Sequence, residues 1–239
     1  MMTTIELRPA AARDQTNIDW LDSRHSFSFG PHWDPANTGH GLLIVSNDDR
    51  VRAGSGFSTH PHRDMEIITW VLEGELEHAD SERNRGVIYP GLAQRMSAGR
   101  GIRHSEINHS AHEDVHFVQM WVVPDTASID PGYEQLDVGD QLAAGGLVPV
   151  ASGRDLDAAI RLHQRDATFW VGRLGAGETV SVPDAPYVHL FVGRGSVALE
   201  GAGTLAEGDA ARLTAAGSPT VTAGIDGAEV LVWEMASAL

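Results

Sequence analysis

Cysteine is absent from the 239 residues, which excludes disulfides, thiolate zinc sites, iron–sulfur clusters and cysteine nucleophiles at once. Basic residues are scarce: 17 Lys and Arg stand against 33 Asp and Glu, for a formal charge of −16 and a pI near 5.0. A surface of that sign does not neutralise phosphates, so no direct nucleic-acid binding is expected. No apolar run approaches about 18 residues, and Glu6, Arg8, Arg13, Asp14, Asp19 and Asp22 interrupt the N-terminal segment where a secretory leader would need an apolar core. The expectation is a soluble, cytoplasmic protein with no membrane segment. Long helical periodicity is missing as well.

Short segments rich in Val, Ile, Leu and aromatics take its place, among them Ile67 to Leu72, Val115 to Val123 and Val188 to Leu199, each set between Gly, Pro and Asp turn signals. The 26 glycines and 11 prolines supply the turns that many short strands require. This pattern predicts an all-β fold closed into a β-barrel or jelly roll. At roughly 100 to 200 residues per domain, the length suits one large or two small domains. The stretch from Pro124 through Gly146 is rich in Pro, Gly, Asp and Ala without sustained periodicity. We read residues 124–146 as a linker between an N-terminal domain at 1–130 and a C-terminal domain at 131–239. The halves look related, because Gly74-Glu-Leu-Glu runs parallel to Gly195-Ser-Val-Ala, and Pro90-Gly-Leu-Ala-Gln-Arg-Met-Ser-Ala to Glu207-Gly-Asp-Ala-Ala-Arg-Leu-Thr-Ala.

Histidine is the residue in excess: of 12, ten lie between His25 and His116. Two pairs within that group share one spacing, His60-Pro-His62 and, 42 residues after His62, His104-Ser-Glu106. Residues i and i+2 of a strand face the same side about 6.6 Å apart, so each pair can aim both heads at one point. If the two strands are neighbours, or face each other across a narrow barrel, three imidazoles and one carboxylate converge. Such nitrogen and oxygen donors suit iron, nickel, copper, manganese or zinc. Four protein ligands leave an octahedral ion two open positions, as chemistry on a chelating substrate requires, whereas a structural zinc site is closed. The equivalent positions of the second half are Ser181, Pro183, Val221 and Ala223. None is a useful ligand, so the second domain is expected to be metal-free and to pack against the first.

The string Gly54, His60, His62, Glu66, Gly74 resembles the first motif of the cupin superfamily, and Gly101, His104, Asn108 resembles the second. More narrowly, Gly56 to Glu66, Val71 to Gly74, His78 to Ser81, Met96 to Glu106 and His116 to Val123 resemble the pirin family, especially its bacterial quercetinase-like members. Trp20 to Phe29 and Pro131 to Gln135 fit as well, so the resemblance spans most of residues 17 to 135. It departs at Asp64, where the family often has glycine, and at Glu82-Arg83, where it has Leu-Gly.

The resemblance implies a bicupin: two tandem cupin (jelly-roll) domains, the first holding one divalent metal ion, usually iron, through His60, His62, His104 and Glu106. General cupins would recruit Glu66 instead, which makes it the runner-up ligand. It further implies a metal-dependent dioxygenase that cleaves a flavonol such as quercetin and releases carbon monoxide, with a small aromatic molecule and dioxygen as substrates. Glu106, or Glu66 if it reaches the pocket, is the expected base, and Phe57, Met120 and Trp121 the expected cavity wall. The alternative is a metal- or redox-dependent regulator read by a protein partner. The segment holding His25, His32 and His40 is expected to cover the barrel. His189 is expected in the core or an interface, and His78, His109, His112 and His116 lack the paired spacing, although His116 heads a strand that could reach the cavity.

Overall fold

The computed structural model describes residues 2–239. Its first half contains β1 (Thr4–Arg8), β2 (Asp14–Ile18), β3 (Leu21–His25), β4 (Leu43–Val51), β5 (Gly56–His62), β6 (Glu66–Glu73), β7 (Leu76–Asp80), β8 (Arg85–Ile88), β9 (Leu92–Ser97), β10 (Ile102–Asn108), β11 (Val115–Val122) and β12 (Gly132–Asp137). After the short helix α1 (Gly139–Ala143) come β13 (Leu147–Ser152), β14 (Ile160–Arg161), β15 (Ala167–Leu174), β16 (Thr179–Ser181), β17 (Tyr187–Leu199), β18 (Gly203–Ala206), β19 (Ala210–Thr214) and β20 (Thr220–Met235). The fold is all-β, as the turn-punctuated pattern predicts. None of the described helices is long and apolar enough to cross a membrane.

Two sheets form the first barrel, one ordered β12-β9-β6-β11-β4-β3-β2 and the other β5-β10-β7-β8. The second barrel is one sheet folded on itself. Its long β17 pairs with β19 along Tyr187–Phe191 and with β18 along Ser196–Leu199, and β20 pairs with β16 at its start and β15 at its end. Register shifts on either side of Gly195 let β17 turn the corner. One strand thus does what β6 and β7 do in two, with Gly74 (φ 78°) and Gly195 (φ 72°) at the same bend. The order of the first large sheet recurs as β1-β19-β17-β20-β15-β13-β14, so the repeated glycine pattern marks a repeated pairing order. Two strands cross the 130/131 division: β12 pairs with β9 in the first barrel, and β1 with β19 in the second.

The largest core cluster lies between the barrels. Ile68, Trp70 and Leu72 of β6, with Val118, Met120 and Val122 of β11, meet Phe169, Val171, Leu231 and Trp233 of the second half. Trp70 Nε1 donates to Glu229 Oε1 at 2.7 Å, and Trp233 Nε1 lies 3.1 Å from Met120 Sδ. β6 and β11 are buried on both faces, which is why they read as unbroken apolar runs rather than alternating ones. Odd-numbered residues of these two strands face the first barrel's interior, and even-numbered ones face the second half. In the second barrel Val188, Leu190, Val192, Val221, Val230 and Val232 fill the interior. Where the family pattern has glycine, Asp64 (φ 50°) and Arg83 (φ 73°) hold left-handed backbone, so both substitutions keep the turn at some strain.

Candidate metal centre

β5 and β10 are antiparallel neighbours, with His60 opposite His104 and His62 opposite Ile102. A bulge then brings Phe57, rather than Ser58, opposite Glu106. The two period-two pairs therefore share one sheet and face one interior. Ring centroids of His60, His62 and His104 are 4.5 to 4.8 Å apart, and His60 Nε2 lies 3.1 Å from His104 Nε2. Two nitrogens each about 2.1 Å from one ion at right angles would be roughly 3.0 Å apart. His60 Nδ1 donates to the Ser58 carbonyl at 2.8 Å, which leaves its Nε2 as the free lone pair. His62 Nε2 is buried with no hydrogen-bond partner, a rare state for a polar atom unless something else binds it.

Glu106 Oε2 lies 4.0 Å from His104 Nε2. Its carboxylate is held by Gln119, whose Nε2 donates to both oxygens at 2.8 Å, and by Thr69 Oγ1 at 3.3 Å. Trp121 Nε1 donates to Gln119 Oε1 at 3.0 Å and so orients that amide. Burial, with the neighbouring His104 and His60, pulls His62 down to about 4. Burial, with His60 and His78, pulls His104 to about 3. Both rings are neutral at ordinary pH, the form in which imidazole binds a metal. The donor set fits a divalent transition metal.

Sequence reasoning passed over a third pair, His78-Ala-Asp80 on β7, the other neighbour of β10. His78 is fully buried, its Nε2 3.2 Å from Asp80 Oδ2 and its Nδ1 3.5 Å from His104 Nδ1. Burial works against charge on Asp80, yet hydrogen bonds from Asn84 and His78 hold its carboxyl below the usual range. A carboxylate there accepts from the Nε2–H of His78, whose Nδ1 lone pair then faces the Nδ1–H of His104. His104 is left with its lone pair on Nε2, toward His60 and Glu106. His78 thus stands behind His104, away from the other imidazoles. Asp80→Asn, which keeps the turn to Asn84, is expected to weaken metal affinity about 10- to 100-fold in chelator competition. An unchanged affinity would show that the His78–Asp80 pair does not act on His104.

A cavity of about 430 Å³ opens beside these residues, walled by Trp20, Leu21, Phe29, Phe57 and Trp121. Trp20 meets Phe57 edge-on at 5.1 Å, and Trp121 meets both Phe29 (5.8 Å) and His62 (4.9 Å) edge-on. The β3–β4 connection supplies Phe29, so part of the expected cover lines the cavity while Trp33 stays exposed. Phe57 and Trp121 stand where expected, but Met120 does not, because its parity on β11 turns it to Trp233. Glu66 is a second correction. On β6 it shares the outward face of Ile68 and Trp70, and its Oε2 accepts from the backbone N–H of His163 at 3.0 Å. It therefore reaches neither the cavity as a base nor the imidazoles as a ligand. His116 likewise faces outward, 2.6 Å from Asp48. His189 is buried with its ring 5.6 Å from that of Phe27. Also missed was a polar row across the interior, in which His25, Asn47, Gln119, Thr69 and Gln94 are successive cross-strand partners. Its trace in the sequence is the unbroken polar runs Asp22 to His25 of β3 and Ser46 to Arg50 of β4, whose inward positions would be apolar in a closed core.

Residues 7–122 match the sequence model of the family described as Pirin, and residues 149–235 that of the quercetinase C-terminal cupin domain. A Mycobacterium tuberculosis protein whose name provisionally assigns quercetin 2,3-dioxygenase activity is 58% identical over 236 residues, covering 98% of this chain and 96% of that protein. The quercetin 2,3-dioxygenase of Escherichia coli K12 is 47% identical over 160 residues, 67% of this chain and 68% of that protein. Among solved structures, the bacterial pirin YhhW of Escherichia coli in complex with nickel(II) superposes with a TM-score of 0.90 at 36% identity, covering 99% of this chain and 100% of that one. With the Pirin model matched over residues 7–122, a relative 58% identical over nearly the whole length of both chains and a solved bacterial pirin of 36% identity superposing end to end, the chain belongs to the pirin family.

Proposed function

We propose that the protein is a metal-dependent dioxygenase that opens the central ring of a flavonol such as quercetin and releases carbon monoxide, its divalent ion held by His60, His62, His104 and Glu106. The observation that carries this reading is the meeting of three convergent imidazoles, with the braced carboxylate of Glu106 beside His104, and an aromatic-walled cavity suited to a flat molecule. The names of the relatives from Mycobacterium and Escherichia support the same chemistry. Iron is the ion proposed, and nickel, copper, manganese or zinc would suit the same donors. When bound, the ion supplies Lewis acidity toward a chelating hydroxyl and a template for the substrate.

The chain's own residues do the rest. Glu106 Oε2, which carries fewer donors than Oε1, accepts the proton of the flavonol hydroxyl. Gln119, fixed by Trp121, keeps that carboxylate aimed while it does so. Phe57 and Trp121 flank the rings and Phe29 closes over them, which excludes water. The site belongs to the unit proposed at residues 1–130. The unit at 131–239, with apolar Val221 and Ala223 at the ligand-equivalent positions, is proposed to bind no metal and to support the first through the shared core. A cytoplasmic location is part of the same proposal. The test is an oxygen-electrode assay of metal-loaded, reduced protein with quercetin, alongside carbon monoxide detection. Oxygen uptake with matching carbon monoxide is expected. No uptake with any flavonol under any of these metals would sink the reading and leave the alternative of a regulator bound by a protein partner.

A further inference from the structure

The first barrel's interior holds a carboxyl that the chemistry at the imidazoles does not use. Alternation on β4 turns Asn47 and Asp49 inward, and register sets Asp49 between Ser23 of β3 and Phe117 of β11. Asp49 is 4% exposed and borders the same cavity as Glu106. Its Oδ1 is buried without a hydrogen-bond partner. Burial pushes its carboxyl up to about 8; the Ser23 hydroxyl pulls the other way, and the charges of Asp48, Glu106 and Asp22 add to the rise. Asp49 therefore keeps its proton at neutral pH and can donate as well as accept.

A buried acid with an open oxygen is costly to keep for packing alone. The second barrel fills its interior without an acid whose oxygen is left unpaired. There β15 pairs with β20 as β4 pairs with β11, and Gly172 and Leu174 lie opposite Val230 and Ala228 among apolar side chains, while the one acid on that face, Glu234, has both oxygens hydrogen bonded, to Arg154 and Trp170. The surroundings of Asp49 are braced rather than loose. His25 Nδ1 lies 2.9 Å from Asn47 Oδ1, and Thr16 Oγ1 lies 2.9 Å from His25 Nε2. Along β11, Phe117 stands one inward position beyond Gln119, which holds Glu106, and two beyond Trp121, on which His62 packs. At about 6.6 Å for each such step, Asp49 sits well along the cavity from the imidazoles. A group at that remove meets the far part of a bound ligand and not the oxygens that chelate an ion.

Resting on the flavonol-cleaving function above, we propose that Asp49 is a specificity-determining residue that hydrogen bonds a phenolic hydroxyl on the part of an aromatic substrate remote from its chelating oxygens. A site built to pair with a hydroxyl discriminates against an analogue lacking it, because its own polar group is then left unpaired. The test compares quercetin, which carries such hydroxyls, with 3-hydroxyflavone, which keeps the chelating pair and lacks them. Dissociation constants are measured by fluorescence titration on nickel-loaded protein without oxygen, for the parent, Asp49→Asn and Asp49→Leu. The parent is expected to prefer quercetin by about tenfold, as one hydrogen bond gives. Asp49→Leu is expected to lose that preference while binding 3-hydroxyflavone at least as well, and Asp49→Asn to retain part of it. Melting temperatures at or above the parent's would show that both variants fold. If the variants keep the parent's preference, Asp49 does not read the substrate, and the function proposed above stands. If the parent neither binds nor cleaves any flavonol, that function fails and this role fails with it.

Discussion

Replacing His104 by alanine is expected to abolish metal retention and, with it, flavonol turnover. His104 joins the cluster together: its Nε2 faces His60 at 3.1 Å and Glu106 at 4.0 Å, while its Nδ1 faces His78. Loss of a group that only orients a ligand costs about 10- to 100-fold in affinity, so loss of the ligand itself should exceed that. The direct measurement is metal content after dialysis. The second is thermal: at a thousandfold excess over its dissociation constant, an ion stabilises the folded parent by about 4 kcal/mol, and the variant should show none of that rise. Full metal stoichiometry in the variant would remove His104 from the ligand set.

The same substitution has a pH signature in the metal-free protein. In the fold, His104 titrates at about 3 and His62 at about 4, each pulled down first by burial, against about 6.5 in the unfolded chain. Between these values the unfolded chain binds protons that the folded one refuses. The stability these groups contribute is full above pH 6.5 and is lost as pH falls toward 4 and then 3. His104→Ala removes one of the two groups, so its stability should fall less steeply over that window than the parent's. Equal slopes in denaturant titrations at pH 7, 6, 5 and 4 would contradict this.

Trp233→Ala is expected to destabilise the whole molecule by about 3 to 5 kcal/mol, the usual cost of emptying a buried aromatic site. Trp233 is 1% exposed, stacks on Phe169 at 5.1 Å and lies against Met120 of the other barrel. For a chain of this size each kcal/mol lowers the melting temperature by roughly 2 to 4 °C, so a fall on the order of 10 °C should be seen. Because the cluster around it draws on β6 and β11 as much as on β15 and β20, the parent and the variant should each melt in one transition. Met120→Leu, which conserves volume at the same contact, should cost less than about 1.5 kcal/mol. Two separate transitions, with only one moved by Trp233→Ala, would show the barrels to be independent units.

The class of fold was legible because strand length and turn chemistry are local: glycines at Gly74 and Gly195 mark bends that only a few backbones can make. The imidazole cluster was legible for the same reason, since a spacing of two on a strand determines a shared face. Glu66 and Met120 were misplaced because β6 and β11 are buried on both sides. An unbroken apolar run carries no parity, and which face meets the cavity depends on where the second barrel sits. Asp49 and the His78–Asp80 pair were missed for a related reason. Their meaning lies in cross-strand partners far apart in the chain, Phe117 for Asp49 and His104 for Asp80.

By itself, then, the sequence determined the period-two faces, the turns and the acid-rich, cysteine-free composition, all properties of neighbouring residues or of simple counts. The tertiary structure alone decided which faces became interior. That choice follows from register and from burial between two barrels, and it makes Glu106 a cavity carboxylate while Glu66, of the same chemistry, belongs to the interface between the halves.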